Sequence, residues 1–573
     1  MSKPAPFVAV LPYLLVVAAG WFACHGTWNG EWVYDDVDAI AQNRALLAGD
    51  WWNAAFGAHH QPLANRPFSC LSLAVDFAMF GTGPFGPHLG NFVLHLANAL
   101  LVLLVVRRCL LAKALAGRFS FERATWLATA IAAVWVVHPL TADAVCYATQ
   151  RSTLLFSGAL LLSFLAVLRS HDGGRRRLHD TIAVVAMAIA MASKEDAVVG
   201  PVLVVLLERA FVFTSWRELG ARRGFHLAMA STWLVLGASV WLGPSNSTVG
   251  YATAVEANAW QWLCTQAGVV AHYVRLAAWP HPLRTAYDTP IVKEFGPAVV
   301  PGLFVLALLA ATIVAWRRRP WWGFVGALFF LLLAPTSTVM PIVSEVVAER
   351  RAYLPMLLVL VPAVVGAHEW LARRNVGLAA LVAAGVVVGL SFVMRTRVAA
   401  YHDPASFWTD AWDKRDPASR SYVAGILAIN RGDVFYRQGR AADAFACYDA
   451  AMLCEAQSAT AKGRHAMSLL ERDRPQEAVA SLRKVVATSA DAASLGMLGI
   501  ALLVSNQKER KGAGDPRLAE AEDLLQQSLA MDAASAQFWS ALAEVRQGRG
   551  RPKEAAEALR RSKEAEAAAA RPR

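Results

Sequence analysis

Charged residues are scarce in this chain of 573 residues. Asp, Glu, Lys and Arg together make up 17% of the sequence, whereas 56% of the residues are hydrophobic and the mean hydropathy is +0.37. A soluble globular protein carries more charge on its surface. The apolar residues fall in blocks of about 15 to 20, the length that crosses a hydrocarbon core of about 30 Å. The composition therefore predicts an all-α, polytopic membrane protein.

Three further absences narrow the possibilities. The seven cysteines have no metal-type spacing, and Cys447 and Cys454 are too far apart on one helix to form a disulfide. The first apolar block, residues 7–23, has no clear small-x-small cleavage motif, so we expect a retained helix and not a removed signal peptide. No internal repeat relates the two halves of the membrane part, which disfavours a secondary transporter.

Basic residues outnumber acidic ones by 12 and cluster in short loops between the apolar blocks. The positive-inside rule places such loops in the cytoplasm, so the surplus indicates orientation and not nucleic-acid binding. We predict eleven spans, with the N-terminus inside, at 7–23, 89–106, 124–137, 153–168, 179–193, 197–213, 226–242, 297–315, 321–334, 352–368 and 376–394. The basic loops are 107–123, 169–177, 208–223, 316–319 and 369–374.

The predicted topology gathers most unusual polar residues on the outer face. The stretch 263–279 is helical in pattern but carries His272 and Arg275, so we interpret it as a re-entrant or interfacial helix within one outer segment, 243–296. Everything after Met394 is also outside. The other outer segments are the acidic first loop, 24–88, and the stretches 138–151, 193–196 and 335–351.

From about residue 420 the chain becomes rich in Ala, Arg, Glu and Gln and has no membrane-length block. Equivalent alanines recur at intervals of 34, 43 and 34 residues, the spacing of tetratricopeptide repeats with one extended connection at 505–517. They are Ala444, Ala478, Ala521 and Ala555.

The domain organisation follows from this change of composition. We predict a membrane domain at 1–400, a linker at 401–419, and an α-solenoid of about four helix pairs at 420–573. The concave surface of such a solenoid is expected to bind a protein. A generic alanine-rich helical bundle is the alternative.

Two aspartates follow the first span, in the stretch EWVYDDVDAIAQN (31–43). A hydroxyl or amide that attacks a carbon centre such as a glycosyl carbon needs a base. Asp35 or Asp36 could supply it, while the other orients the acceptor or binds a divalent cation. The alternative is structural, since Asp35, Asp36 or Asp38 could cap the helix that follows. The spacing leaves both interpretations open.

Cations stand at the outer ends of several predicted spans. Arginine is the usual bidentate ligand for phosphate, and acids facing bases at membrane depth favour an anionic, lipid-linked substrate. The alternative is interfacial snorkelling and ion pairing, for example of Lys194 with Glu195. The cations are Arg66, Arg151, Lys194, Arg350 and Arg351.

Histidines form a third group of polar residues. His88, Asn91, His95 and Asn98 recur every three or four residues along the second span, which favours a hydrogen-bonded packing stripe over a zinc site because no third ligand follows at suitable spacing. His138 could line a cavity or cap a helix. We retain His88 and His138 as candidates for substrate contact.

Seven motifs in one order resemble the transmembrane and tetratricopeptide-repeat (TMTC) proteins and their bacterial relatives, which are similar in turn to protein O-mannosyltransferases. The likeness covers residues 1 to about 565. The motifs are YDD, NRPFSCLSLAVDFAMFGTGPFGPHLGNFVLHLANALL, HPLTADAVCYATQRSTLL, SKEDAVVGPVLVV, YVRLAAWPHPL, AERRAYLP and RTRVAAYHDPASFWTDAWDKRDP.

The resemblance implies a GT-C glycosyltransferase. Such enzymes transfer a sugar with inversion from a polyprenyl-phosphate carrier, and the eukaryotic TMTC proteins modify cadherin-type domains with mannose. The acidic first-loop motif of the family corresponds to Asp35 and Asp36, one of which would then be the base. The other matching positions, expected near the carrier phosphate, are Arg66, Lys194, Glu195, Glu349, Arg350 and Tyr353.

We therefore expect transfer of a mannose-like hexose to a hydroxyl acceptor, a protein Ser or Thr recruited by the repeats. We expect a multi-pass protein of a bacterial inner membrane, with the active site and repeats extracytoplasmic. The alternative is a non-catalytic membrane scaffold whose repeats bind a partner protein.

Overall fold

The computed structural model describes residues 6–57, 63–242, 258–339, 345–454, 459–488 and 490–570. Within those ranges the regular structure is entirely helical, with no strand, which confirms the predicted all-α fold class. The chain forms two compact units, Met1–Lys414 and Arg415–Arg573. Their boundary falls inside the linker predicted at 401–419, and a helix at Pro404–Asp413 belongs to the first unit.

In the first unit, long apolar helices are joined by short helices and turns. In the described ranges they are α1 Pro6–Cys24, α2 Arg44–Leu47, α3 Trp51–Phe56, α4 Pro67–Phe80, α5 Phe85–Leu110, α6 Phe121–Val136, α7 Ala142–Cys146, α8 Arg151–Arg169, α9 Arg176–Met191, α10 Gly200–Phe211, α11 Trp216–Gly220, α12 Arg223–Ser231, α13 Trp233–Leu242, α14 Ala259–Ala278, α15 Val299–Arg318, α16 Pro320–Ala334, α17 Leu357–Ala372, α18 Val376–Ala400 and α19 Pro404–Asp413. The connections between these helices include the π-turn Val37–Ala41 and the 3₁₀ turns Pro139–Thr141, Ala148–Gln150, Glu195–Val199 and Glu349–Ala352.

Seven helical segments of the described chain are long and apolar enough to cross a membrane. The helices α6 and Pro139–Cys146 pass the same test together, with a bend of 57° between them. The chain is therefore an integral membrane protein. The seven segments are Val10–Asn29, Phe85–Leu110, Ala148–Arg169, Arg223–Leu242, Gly296–Arg318, Pro320–Ser337 and Val376–Ala400.

The other three predicted spans also coincide with helices, but these are short. The spans 179–193, 197–213 and 352–368 correspond to α9, α10 and α17, which have 16, 12 and 16 residues. A helix of that length covers at most about 24 Å, less than the hydrocarbon thickness of about 30 Å. The count of eleven spans therefore stays a prediction. So does the re-entrant role of 263–279, and residues 243–257 of the outer segment lie outside the described ranges.

The polar stripe on α5 holds the centre of the first unit together. The Asn91 amide donates to the Tyr147 carbonyl at 3.0 Å, and the Asn98 amide donates to the Leu154 carbonyl at 3.0 Å. His95 bonds the Val136 carbonyl at 2.9 Å and the Tyr353 hydroxyl at 2.8 Å. Because each polar group buried among apolar helices needs a partner, the stripe fixes the rotation of α5 against its neighbours.

Two glycines permit this close packing around α5. A Cβ on Gly158 of α8 would lie 2.4 Å from the Asn98 Oδ1 atom, and a Cβ on Gly90 of α5 would lie 2.4 Å from an Arg151 Nη atom. Any larger residue would push the polar side chains out of hydrogen-bonding distance. Glycine is thus required at both positions by its lack of a side chain, not by its backbone freedom.

The second unit contains four successive helix pairs in its described ranges. Consecutive helices pack against one another, and the four period-marking alanines are at most 6% exposed. Each alanine lies on the second helix of its pair, where a small side chain lets the helices approach. The helices are α20 Tyr422–Arg437, α21 Ala441–Ala451, α22 Ala459–Glu471, α23 Pro475–Thr488, α24 Ala492–Lys508, α25 Pro516–Met531, α26 Ala536–Gly548 and α27 Pro552–Ala570.

Truncation of a leucine in the core of the second unit should destabilise its helices strongly. Leu502 on α24 is 0% exposed, so Leu502→Ala should lower the free energy of local unfolding by about 2–5 kcal/mol. Leu559→Ala, at a side chain that is 46% exposed, is the matched control and should change it little. Native-state amide hydrogen exchange of the full chain measures both. Equal effects of the two substitutions would contradict the packing described here.

Candidate active site

Asp36 joins the first loop to a distant turn of the chain. Its carboxylate is 0% exposed and accepts three backbone N–H groups, from Val33 at 3.4 Å, Ala148 at 3.2 Å and Thr149 at 2.8 Å. Burial raises the pKa of Asp36 to about 8, against the opposing effect of these hydrogen bonds. All of its visible bonding is to backbone, so Asp36 acts as an anchor.

Asp35 is the more accessible of the two acids. It is half-buried, and its backbone N–H donates to the Tyr147 hydroxyl at 3.0 Å. The preceding residue, Tyr34, has a φ of 50°, in the left-handed region, and its ring lies 5.2 Å from that of Trp408. This turn directs Asp36 into the protein and leaves Asp35 at its surface.

The charge state of Asp35 depends on its surroundings. Burial, and then the negative charge of Glu345, raise the pKa of Asp35 to about 7, while the Tyr147 hydroxyl and the positive charge of Arg350 oppose this. A carboxyl group with such a pKa takes up and releases a proton near neutrality, which suits a general base.

The helix-capping alternative for these acids is not what the structure contains. Asp36 stands at the start of the turn Val37–Ala41 without any side-chain capping bond. The helices that follow, α2 and α3, are capped instead by Asn43 and Asp50, whose side chains accept N–H groups from Leu46 and Asn53.

Arg350 is the cation whose charge lowers the pKa of Asp35. Its backbone N–H and its guanidinium both donate to Asp143 Oδ2, at 2.9 and 3.2 Å, and the guanidinium also pairs with Glu345. It lies 5.8 Å from the centre of the Tyr147 ring. Arg350 lowers the pKa of Glu345 below its ordinary value, although burial opposes this, so Glu345 is the carboxylate that stays ionised beside Asp35.

Lys194 and Arg66 extend the cationic group. The Lys194 ammonium donates to Thr153 Oγ1 at 3.0 Å and pairs with Asp196 at 3.0 Å. Burial lowers the pKa of Lys194, and the charge of Arg66 lowers it further against the effect of Asp196. Lys194 in turn acts electrostatically on Glu345.

Lys194 and Glu195, named above as an example of the ion-pairing alternative, do not pair with each other but with other residues. Glu195 pairs with Arg66 at 2.9 Å, and Arg66 also donates to Ser152 at 3.1 Å. Lys194 has an extended backbone, with φ of −160° and ψ of 143°, and Glu195 begins the next turn. Neighbouring side chains on such a backbone point in different directions, so each finds its own partner.

Arg151 lies in a buried network away from Asp35. It is 2% exposed and donates to Asn91 at 2.7 Å, Ser72 at 2.5 Å, Asp76 at 2.5 Å and the Pro87 carbonyl at 2.8 Å. These bonds clamp α4, α5 and α8 together, so the guanidinium has little capacity left for a phosphate.

Glu349 and Tyr353 are also held in structural contacts. Glu349 is 1% exposed and accepts from the Tyr287 hydroxyl at 2.6 Å and from Arg397 at 3.2 Å. The Tyr353 hydroxyl bonds His95 and lies 3.2 Å from the Asn98 amide that donates to it. Their proximity to Arg350 in the sequence therefore does not bring them to Asp35.

The two histidine candidates contact backbone. His88 is 3.3 Å from the Glu31 carbonyl, and its ring centre lies 6.1 Å from that of Trp32, with the two rings tilted by 34°. His138 caps the turn Pro139–Thr141, with Nδ1 accepting the Leu140 N–H at 3.2 Å. This is the capping alternative that the sequence left open.

Sequence reasoning missed several residues of the site. Asp143 and Tyr147 lie in the stretch HPLTADAVCYATQR, and Glu345 lies just before the AERRAYLP motif. One feature of the sequence could have pointed to Glu345: it lies four residues before Glu349 in a predicted outer segment. Nothing in the sequence indicated that it faces Asp35.

No group of three or more His, Cys, Asp or Glu side chains with suitable geometry occurs among the described residues. A cation shared by two aspartates therefore stays a prediction, and both carboxyl oxygens of Asp36 already accept backbone N–H groups.

No family model matches the chain. It is similar to Protein O-mannosyl-transferase TMTC1 of Mus musculus, with 30% identity over 162 residues, or 26% of this chain and 16% of the relative. It is also similar to Protein O-mannosyl-transferase Tmtc3 of Drosophila melanogaster, with 26% identity over 178 residues, or 28% and 19% of the two chains. The resemblance to TMTC proteins is thus confirmed, while the aligned part spans less than a fifth of these relatives.

Two solved structures are also similar to the chain. ArnT from Cupriavidus metallidurans bound to undecaprenyl phosphate matches with 16% identity and a TM-score of 0.36, over 85% of this chain and 81% of that one. The apo state of the same protein matches with 15% identity and a TM-score of 0.37, over 83% and 79%. These TM-scores are too low to establish a shared fold.

Removal of the Asp36 carboxylate should loosen the site. Asp36→Ala leaves three buried N–H groups without a partner, each worth about 1–3 kcal/mol. We expect the amides of Val33, Ala148 and Thr149 to exchange hydrogen faster, by roughly tenfold or more. Asp38→Ala, at an exposed side chain two residues away, is the control and should leave these rates unchanged. Unchanged exchange in Asp36→Ala would exclude the anchoring role.

Proposed function

We propose that this protein is a membrane glycosyltransferase in which Asp35 is the general base. The observation that carries the proposal is a half-buried carboxyl group whose backbone N–H donates to the Tyr147 hydroxyl and whose pKa, about 7, responds to the charges of Glu345 and Arg350. The names of its relatives, which are protein O-mannosyl-transferases, support sugar transfer and a mannose-like hexose.

The proposed reaction is an inverting displacement at the anomeric carbon of the donor sugar. An acceptor hydroxyl attacks this carbon while its proton passes to Asp35. The bond between the acceptor oxygen and the carbon forms, and the bond between the carbon and the phosphate oxygen breaks. Polyprenyl phosphate leaves with the electron pair of that bond. A phosphate leaving group needs no strong acid, so one carboxylate base is sufficient.

The cations supply the binding of the donor phosphate. Arg66, Lys194 and Arg350 are each paired with a carboxylate, so a phosphate would share or replace these partners. Arg351 has no carboxylate within ion-pair distance among the described residues, and its guanidinium donates to the Glu345 and Val346 carbonyls at 2.9 and 3.3 Å. Arg351 is therefore the guanidinium of this group with most capacity for an added phosphate.

The donor and the acceptor are proposed on chemical grounds. A polyprenyl-phosphate carrier suits a site built from the ends of membrane helices, with its chain in the bilayer. A protein hydroxyl is the acceptor because four helix pairs follow the membrane unit and solenoids of this kind bind protein segments. The positive-inside rule supports an extracytoplasmic site with the N-terminus in the cytoplasm, in a bacterial inner membrane.

Replacement of the proposed base should abolish transfer. Asp35→Asn should lower the rate of polyprenyl-phosphate release from a polyprenyl-phosphate mannose donor by about 10²- to 10⁴-fold, since the amide accepts no proton. Asp38→Asn removes an equal charge from an exposed side chain in the same loop and should remain active. The assay uses the full chain in detergent, with a membrane extract as the source of acceptor. An active Asp35→Asn variant would refute the proposed base. A folded wild type without turnover would favour the scaffold alternative.

The pH profile should report Asp35 directly. A base works only when deprotonated, so kcat/KM should rise with pH through about 7, where an ordinary aspartate would already be ionised. Glu345→Gln removes the negative charge that raises the pKa of Asp35, so the rising limb should move to lower pH. If the rise in kcat/KM occurs at the same pH in Glu345→Gln as in the wild type, Glu345 does not raise the pKa of the base.

A further inference from the structure

A cavity of about 530 Å³ lies in the first unit, remote from Asp35. Its walls come from α5, α6, α8, α10, α16 and α17. The helix α8 starts at Arg151, beside the turn bonded to Asp36, and contributes Leu161 and Phe164 to the cavity. At 1.5 Å per residue these side chains stand about 15–20 Å further along the helix. The cavity thus belongs to the opposite, basic end of the unit.

The interior of the cavity is apolar and extends along the helices. Leu357 at the start of α17 and Arg373 just past its end both line it, a span of about 24 Å along a helix. Apart from Cys109 and the charged residues described below, the wall residues are aliphatic or aromatic, among them Val102, Phe324 and Leu328. Its volume falls within the range of about 300–1,000 Å³ that is typical of ligand sites.

The rim of the cavity is strongly cationic. Its charged residues in the described chain are four arginines and one glutamate. Arg123 pairs with that glutamate, Glu369, at 2.5 Å. The remaining arginines, which are exposed and have no carboxylate partner among the described residues, are Arg118, Arg319 and Arg373.

Two tryptophans mark the rim as a membrane interface. Trp321 and Trp322 line the cavity at the start of α16, and the Arg118 guanidinium lies 5.4 Å from the centre of the Trp321 ring. Tryptophan is enriched where hydrocarbon meets lipid headgroups. Guanidinium groups at this level stand where a lipid phosphate would be.

We propose that this cavity binds one acidic phospholipid, with an acyl chain between the helices and its phosphate at Arg118, Arg319 and Arg373. A basic pocket between membrane helices on the cytoplasmic side is suited to an anionic headgroup. Arginine forms paired hydrogen bonds with phosphate. A zwitterionic lipid would bring its own positive charge to the same rim and bind more weakly. The proposal is independent of sugar transfer, because it uses no residue of the Asp35 site.

The test is retention of defined lipids by the full-length protein in detergent, measured by native mass spectrometry. The wild type is offered dioleoylphosphatidylglycerol, dioleoylphosphatidylcholine or undecaprenyl phosphate. The variant Arg118→Gln/Arg373→Gln removes two rim charges. The matched control, Arg317→Gln/Arg318→Gln, removes two exposed arginines at the end of α15 that do not line the cavity. Val361→Trp fills the cavity without changing its charge.

We expect the wild type to retain phosphatidylglycerol selectively. The rim variant should bind it roughly 30-fold more weakly, as expected for the loss of two arginines near an anionic headgroup. The control pair should bind as the wild type does, and Val361→Trp should lose retention although all arginines remain. If the rim variant fails to fold, the retention of phosphatidylglycerol by Val361→Trp decides whether the lipid binds in the cavity.

Three results would overturn the proposal. The first is equal retention of the zwitterionic and acidic phospholipids. The second is unchanged retention in both the rim variant and Val361→Trp. The third is retention of undecaprenyl phosphate in place of phosphatidylglycerol, with this retention lost in Val361→Trp, which would assign the cavity to a different lipid.

Discussion

The buried carboxylate of Asp36 is the contact on which the candidate site depends. It binds backbone N–H groups of two segments that lie 112 or more residues apart in the chain. Because those groups have no other partner among the described residues, the first loop and the turn at 147–149 hold each other in place. Tyr147, Arg350 and Glu345 then converge on Asp35, which alone of the two acids is left accessible. The two neighbouring aspartates therefore differ in role: Asp36 anchors the loop, and Asp35 is the proposed base.

Two parts of the membrane unit, the Asp35 site and the cavity rim, differ in how their charges are paired. In the first, carboxylates and cations are interleaved in pairs such as Arg66 with Glu195 and Arg350 with Asp143. In the second, arginines surround an apolar cavity with a single acid among them in the described chain. The paired groups can accept a charged substrate and exchange partners with it. The rim arginines without a carboxylate partner in the described chain are the basis for the proposed lipid site.

Individual residues show how far sequence reasoning extends. The polar stripe on α5 was predictable, since four residues at helical spacing share one face wherever the helix packs. The convergence of the predicted outer segments was also predictable, because charged loops orient spans. The distinction between Asp35 and Asp36 was not, because it arises from the backbone of Tyr34 and from a turn more than a hundred residues away. Arg151 likewise looked like a phosphate ligand until its four partners were known.

By itself the sequence determined the helical class, the positions of most membrane helices and the repeat period of the second unit. These properties depend on local composition. The length of each apolar block is matched to the thickness of the bilayer, and the spacing of the repeat alanines is set by contacts between neighbouring helices. Only the tertiary structure decided which aspartate is accessible, which cations are already paired, and where arginines remain free around a cavity. Those properties depend on contacts between distant segments, whose distances no local pattern encodes.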